Sequence, residues 1–218
     1  MDKEFWFTRW QKNEIGFHMT DPHHFLPKLF PLLQTQPKDT ILVPLCGKSP
    51  DLVWLYEQGL NIVGIELSRI AVEAFFSEND LSGEWTTEAG MPCCCAKGYK
   101  IYCGDFFELT TAELASACTL YDRGSLVALP PEMRTRYAAH LAALLGSGSR
   151  VLSISYTYNQ TETAGPPFSV SQKELETLFG EDFQIEILVE DDALWSHQGL
   201  VARGVTQLTE FAALLTRR

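Results

Sequence analysis

Residues 41–66 constrain this chain more than any other stretch. Ile41-Leu42-Val43 is a short apolar run, as expected of a strand buried on both faces. The segment Pro44-Leu45-Cys46-Gly47-Lys48-Ser49-Pro50 breaks the run. Residues 51–58 then read as a helix, and Gly59 is placed to end it. Asn61-Ile62-Val63-Gly64-Ile65 is a second buried strand, closing on Glu66. Strand, loop, helix, strand is the repeat of a parallel α/β sheet, whose ligands gather outside the carboxyl ends of the strands. An acid about twenty residues beyond the first loop can accept hydrogen bonds from ribose hydroxyls. Glu66 has that spacing from Gly47. An acid that merely caps the next helix would have it too, and spacing leaves both readings open.

The loop chemistry narrows the ligand. A dinucleotide fingerprint, G-x-G-x-x-G, lets the backbone approach a pyrophosphate through its glycines, and this loop has Gly47 alone. Cys46-Gly47-Lys48-Ser49 matches the end of a phosphate-binding P-loop, but Leu42 stands where the first glycine is required. What remains is a nucleoside ligand without a long phosphate chain, and S-adenosylmethionine is the candidate.

Elsewhere the pattern continues. Phe5, Trp6 and Trp10 have helical spacing near the start, and Pro27 and Pro31 interrupt a second short helical stretch. Ser68 is placed to cap a helix through Phe76. Residues 80–99 read as an irregular insertion or a hairpin, with the consecutive Cys93, Cys94 and Cys95 in a loop. Strands follow over residues 100–103, 119–122, 150–156 and 183–189. Pro130-Pro131-Glu132 opens one helix and Ser171 caps another. By local propensity the tail, VTQLTEFAALLTRR, favours helix.

No repeat or linker separates two halves, so residues 1–218 read as one domain, with residues 1–39 an N-terminal helical segment. The 17 basic against 28 acidic residues leave a net charge of −11, which repels phosphate backbones and anionic lipid. Nucleic acid and membrane are therefore not expected partners. No apolar run approaches the ~20 residues of a membrane span, and the N-terminus has no apolar signal core. None of the six cysteines belongs to a matched pair of C-x2-C motifs, so neither a metal nor a disulfide framework is expected, and free thiols suit a reducing, cytoplasmic compartment.

Several segments, in order, resemble the bacterial form of the thiopurine S-methyltransferase family: FWFTRWQKNEIGFH, VPLCGKSPDLVWLYEQG, IVGIELS, AVEAFFSE, YCGDFFELT, YDRGSLVALPPEMRTRYAAHL and AGPPFSV. The resemblance spans roughly residues 4–179. It implies a doubly wound, Rossmann-like class I fold, with a mostly parallel seven-stranded sheet, helices on both faces and an antiparallel last strand. That last strand would fall within residues 205–215, against their helical propensity. It also implies a monomeric cytoplasmic enzyme that uses S-adenosylmethionine to methylate small aromatic and heterocyclic thiols, thiopurines included. Bacterial relatives are associated with methylation of selenium and tellurium species.

Residue by residue, the resemblance implies that Trp10 covers the cofactor and Leu45 contacts it from the first loop. Glu66 would hold its ribose, and Asp105 with Phe106 would flank its adenine, although the family varies at the Asp105 position. Arg123 would sit near the methyl donor and the acceptor thiol, stabilising the acceptor's anion, with no covalent intermediate. Phe17 and His18 resemble a lid over the acceptor, and Pro166, Pro167 and Phe168 a pocket wall. The C-terminal part matches only loosely, and His197 and Arg203 are the nearest basic candidates there. Taken alone, Trp10 reads as core, His18 as a surface histidine and Asp122 with Arg123 as a surface ion pair. The competing functions are methylation mainly of selenium or tellurium species, and a non-catalytic nucleoside-binding module. A nicotinamide dehydrogenase is disfavoured by the lone glycine.

Overall fold

A computed structural model describes residues 3–114 and 119–218. The chain divides into two compact units, Met1–Tyr121 and Asp122–Arg218.

The first unit opens with helix α1 (Lys3–Gln11) and the short α2 (Phe25–Leu29). Strand β1 (Thr40–Pro44) is buried from Ile41 onward, as its apolar run requires. Helix α3 (Pro50–Glu57) starts where Ser49 Oγ accepts the Asp51 N–H and Pro50 fills the first turn. It stops before Gly59, whose φ is +89°. Strand β2 (Asn61–Glu66) is buried beyond Asn61 and pairs with β1 in parallel. Gly64 is needed there, because a Cβ would stand 2.9 Å from Cys46 Sγ. Helix α4 (Arg69–Glu78) follows Ser68, which sits at the cap position without making the side-chain bond.

The chain then forms a meander of β3 (Glu84–Glu88), β4 (Met91–Ala96) and β5 (Tyr99–Cys103). β3 and β4 are antiparallel, with Glu88 opposite Met91 across a two-residue turn at Ala89 (φ +48°) and Gly90 (φ +86°). Both positive φ values fit the type I′ turn that matches strand twist. β5 pairs antiparallel with β4 and parallel with β2. β6 (Thr119–Arg123) begins in this unit, where Thr119 and Leu120 pair in parallel with β1. The spatial order here is β3-β4-β5-β2-β1-β6.

The second unit carries α5 (Ser125–Ala128), α6 (Pro131–Leu144), β7 (Arg150–Tyr158), α7 (Gln172–Phe179), β8 (Phe183–Asp192), α8 (Gln198–Val201) and β9 (Leu208–Arg217). Ser171 Oγ caps α7 by accepting the Glu174 N–H. β9 runs antiparallel between β7 and β8, so the last strand is antiparallel as expected.

Two expectations are corrected. Nine strands are present among the described residues, not seven. The surplus is the β3–β4 hairpin, attached antiparallel at β5. The Cys93-Cys94-Cys95 triplet is strand β4 rather than loop, with alternate thiols on opposite faces of the sheet. Cys46, Cys93, Cys94, Cys95 and Cys103 are free thiols, and Cys118 lies outside the described residues.

Candidate active site

The parallel register puts three loops side by side. Pro44 is level with Ile65, and Glu66 is level with Cys103. Leu45, Glu66 and Asp105 therefore follow neighbouring strands at one carboxyl edge, where α/β sheets collect ligands.

The loop after β1 holds two left-handed residues, Leu45 at φ +46° and Gly47 at φ +54°. A leucine in that region is strained, and such strain concentrates at ligand-holding turns. What fixes the turn is Glu66, which is buried. Its Oε2 accepts the Gly47 N–H at 2.9 Å and its Oε1 accepts the Ser68 N–H at 2.8 Å. Burial pushes the Glu66 carboxyl pKa up, and the bonds from Ser68, Gly47 and Leu67 pull it back in part. Each carboxylate oxygen has a second acceptor site beyond the N–H it already takes. That donor–acceptor chemistry fits the hydroxyls of a ribose.

Trp10 is buried and closes over the loop: a Cβ added at Gly47 would stand 3.4 Å from Trp10 Cζ2. The bare α-carbon lets the indole pack closely on the loop. Phe17 packs edge-on against Trp10 and Trp6, with ring centres 5.7 and 5.6 Å away. It stays 45% exposed, so this aromatic cluster presents an apolar face to solvent. His18 is half-buried and donates its backbone N–H to Ile15 O.

Asp105 caps the turn after β5, with Oδ1 accepting the Phe107 N–H at 3.0 Å. Its Oδ2 pairs with Lys3 Nζ at 2.9 Å, tying α1 to this edge. Phe106 beside it is buried. Lys3 was not among the residues the sequence singled out; no local pattern links it to a carboxylate so far along the chain. Cys46 and Cys103 also face Glu66. Burial chiefly, then the Glu66 charge, pushes both thiol pKa values up, so neither supplies a thiolate nucleophile.

In the second unit, Arg123 is half-buried and closes β6 at the strand's carboxyl end. Asp122 before it is no surface ion-pair partner: it is buried, and Tyr137 OH donates to its Oδ2 at 3.0 Å. Burial lifts its carboxyl pKa to about 6, against the bonds from Ser125 and Tyr137. Tyr156 was also missed by sequence reading. Burial pushes its phenol pKa up, joined by Tyr158 and Glu210 and opposed by the charges of Arg123 and Arg203. The His197 ring lies 4.8 Å from the Tyr156 ring, and its Nε2 is 3.6 Å from Glu210 Oε1. Arg203 Nη1 donates to Pro166 O at 2.8 Å, and Tyr158 OH to Pro167 O at 2.6 Å. The Gly-Pro-Pro-Phe loop is thus brought against the C-terminal segment, where His197 and Arg203 were the basic candidates.

The family model described as Thiopurine S-methyltransferase matches residues 1–218. The chain belongs to the thiopurine S-methyltransferase family. A relative of that name from Nitrosospira multiformis is 44% identical over 100% of this chain and 99% of its own length. Another from Azotobacter vinelandii is 42% identical over the full length of both. Among solved structures, an S-adenosylmethionine-dependent methyltransferase from Anabaena variabilis is similar in fold, with a TM-score of 0.64 at 18% identity. It covers 99% of this chain and 95% of its own. One from Methanosarcina mazei matches with a TM-score of 0.63 at 16% identity, over 90% of this chain and 98% of its own. These two establish the fold; the thiopurine S-methyltransferase relatives carry the activity.

Proposed function

We propose that the carboxyl edge of β1, β2 and β5 binds S-adenosylmethionine, with Glu66 on the ribose, Trp10 and Leu45 around the cofactor, and Asp105 with Phe106 at the adenine. The chain is an S-adenosylmethionine-dependent thiopurine S-methyltransferase, as its family and its full-length relatives indicate. The observation that carries the site reading is Glu66, buried at a strand's end and anchoring the loop that the cofactor would contact.

When bound, the cofactor supplies a methyl group already activated on a sulfonium. The chain's residues therefore bind, orient and exclude water, and positioning of this kind contributes several kcal/mol to a transfer. Arg123 keeps its charge at any working pH and favours the anion of the acceptor sulfur. The family resemblance assigns Phe17 and His18 to the acceptor, and separately Pro166, Pro167 and Phe168. Arg203, whose charge reaches Tyr156, adds positive character for an anionic heterocycle, and the His197 ring lies beside that tyrosine. The protonated Cys46 and Cys103 leave no competing nucleophile beside Glu66.

The enzyme works as one domain over residues 1–218, a monomer in the cytoplasm that takes small thiols and not nucleic acid. The charge of −11 and the free thiols support this, and no helix among the described residues is long and apolar enough to cross a membrane. No observation favours selenium or tellurium species as the main acceptor, or a non-catalytic role.

Calorimetry tests the site. Charged hydrogen bonds are worth ~1.5–3 kcal/mol, so a folded Glu66→Ala variant is expected to bind S-adenosylmethionine at least about tenfold more weakly. Unchanged affinity would take Glu66 out of the site.

A further inference from the structure

The β3–β4–β5 meander gathers a second set of chemically capable side chains, away from Glu66. Cys93 and Cys95 are two residues apart on β4, so both thiols point to the same face. Their sulfurs lie 4.0 Å apart. Glu88 reaches the same face from β3, and a carboxylate oxygen with both sulfurs falls within one 4.8 Å cluster. Two thiols and a carboxylate are the ligand types of borderline-soft divalent cations.

We propose that Cys93, Cys95 and Glu88 form a binding site for a divalent cation of the zinc type. Zinc binds thiolate sulfur at about 2.3 Å, and sulfurs 4.0 Å apart subtend about 120° at an ion held at that distance. That suits a three- or four-coordinate centre and leaves it far from linear. The surroundings fit as well. Lys100 Nζ and Tyr102 OH both engage Glu88 Oε2, at 2.6 and 3.3 Å, which orients the carboxylate and leaves Oε1 to ligate. Thr86 Oγ1 stands 3.1 Å from Cys93 Sγ, a hydroxyl placed to support a bound thiolate. Charge balances: a dication with two thiolates, one carboxylate and one lysine sums to zero. Each thiol gives its proton to solvent as the ion binds, so two protons leave per ion.

Access and selectivity follow from burial. Cys93 is fully buried, whereas the Glu88 side chain is 43% exposed and Cys95 partly so, giving the ion one open approach. Cys94, between the two ligands, points to the other face, where its sulfur packs against Gly83 and takes no part. The bound ion would clip β3 to β4 and steady a hairpin that sits at the end of the strand order.

The test is titration of the full-length chain with Zn2+ in two buffers of different ionisation enthalpy, with Co2+ as the optical probe. One ion should bind with release of about two protons, and Co2+ should give a thiolate charge-transfer band. Cys95→Ser and Glu88→Gln both alter part-exposed side chains, and thermal melting checks that each folds. Each should weaken Zn2+ binding at least about tenfold, while Cys94→Ala keeps it. Absence of saturable binding in the wild type would overturn the proposal. So would equal affinity in Cys95→Ser, or loss in a folded Cys94→Ala.

Discussion

Asp122 should make this protein less stable as pH rises, by an amount the structure sets. The side chain is 2% exposed, and Tyr137 OH donates to Oδ2 at 3.0 Å. Burial raises its pKa from 3.8 to about 6, although the bonds from Ser125 and Tyr137 favour the charged form. The folded protein thus holds this proton more tightly than the unfolded chain does. The stabilising contribution is complete below the unfolded value of about 4 and is lost as pH rises through about 6. One pKa unit is worth about 1.4 kcal/mol, so a shift of roughly two units amounts to about 3 kcal/mol across that window. Asp122→Asn keeps a carbonyl to accept from Tyr137 and removes the titration. Urea unfolding of both proteins at about pH 4 and about pH 7.5 isolates the term, because every other group is shared. The stability of the variant relative to wild type should grow by about 3 kcal/mol between the two conditions. A difference that does not change with pH would refute the argument from burial.

Arg123→Lys should retain part of the transfer activity and Arg123→Ala much less, with the deficit largest for acceptors of high thiol pKa. Single-turnover rates at saturating methyl donor across acceptors of graded pKa measure this, and equal deficits would remove the anion-stabilising role. Arg134 is buried and donates through Nε to Leu126 O and Leu129 O, and through Nη1 to Ser169 O and Glu174 Oε1. Arg134→Leu should cost ~3–5 kcal/mol in denaturant unfolding, since it strips a buried network of its donor; a loss below about 1 kcal/mol would show the network to be dispensable.

The β1–α3–β2 unit was legible because its signals agree: two apolar runs, a proline and serine at one helix end and a glycine at the other. Glu66 was legible as a position, but not as the group whose two oxygens hold Gly47 and Ser68. β9 contradicts its local propensity because β7 and β8 pair with it on both sides and Phe211, Ala212 and Ala213 are buried. That strand was legible only through family resemblance. A hairpin was one of the two readings open for residues 80–99, but its strands could not be assigned from sequence, for two reasons. Its turn uses Ala89 where asparagine or aspartate is usual, and three consecutive cysteines give no alternation of polarity. The Lys3–Asp105 pair and the approach of Glu88 to Cys93 depend on tertiary pairing that no local pattern records.

The central claim is transfer of a methyl group to the sulfur of a thiopurine. The full-length chain, incubated with methyl-labelled S-adenosylmethionine and a thiopurine, should yield the S-methyl product with the label on sulfur, by mass spectrometry and carbon NMR. One S-adenosylhomocysteine should form per label transferred. Label on a ring nitrogen, or no transfer by a chain that binds the cofactor, would contradict the account.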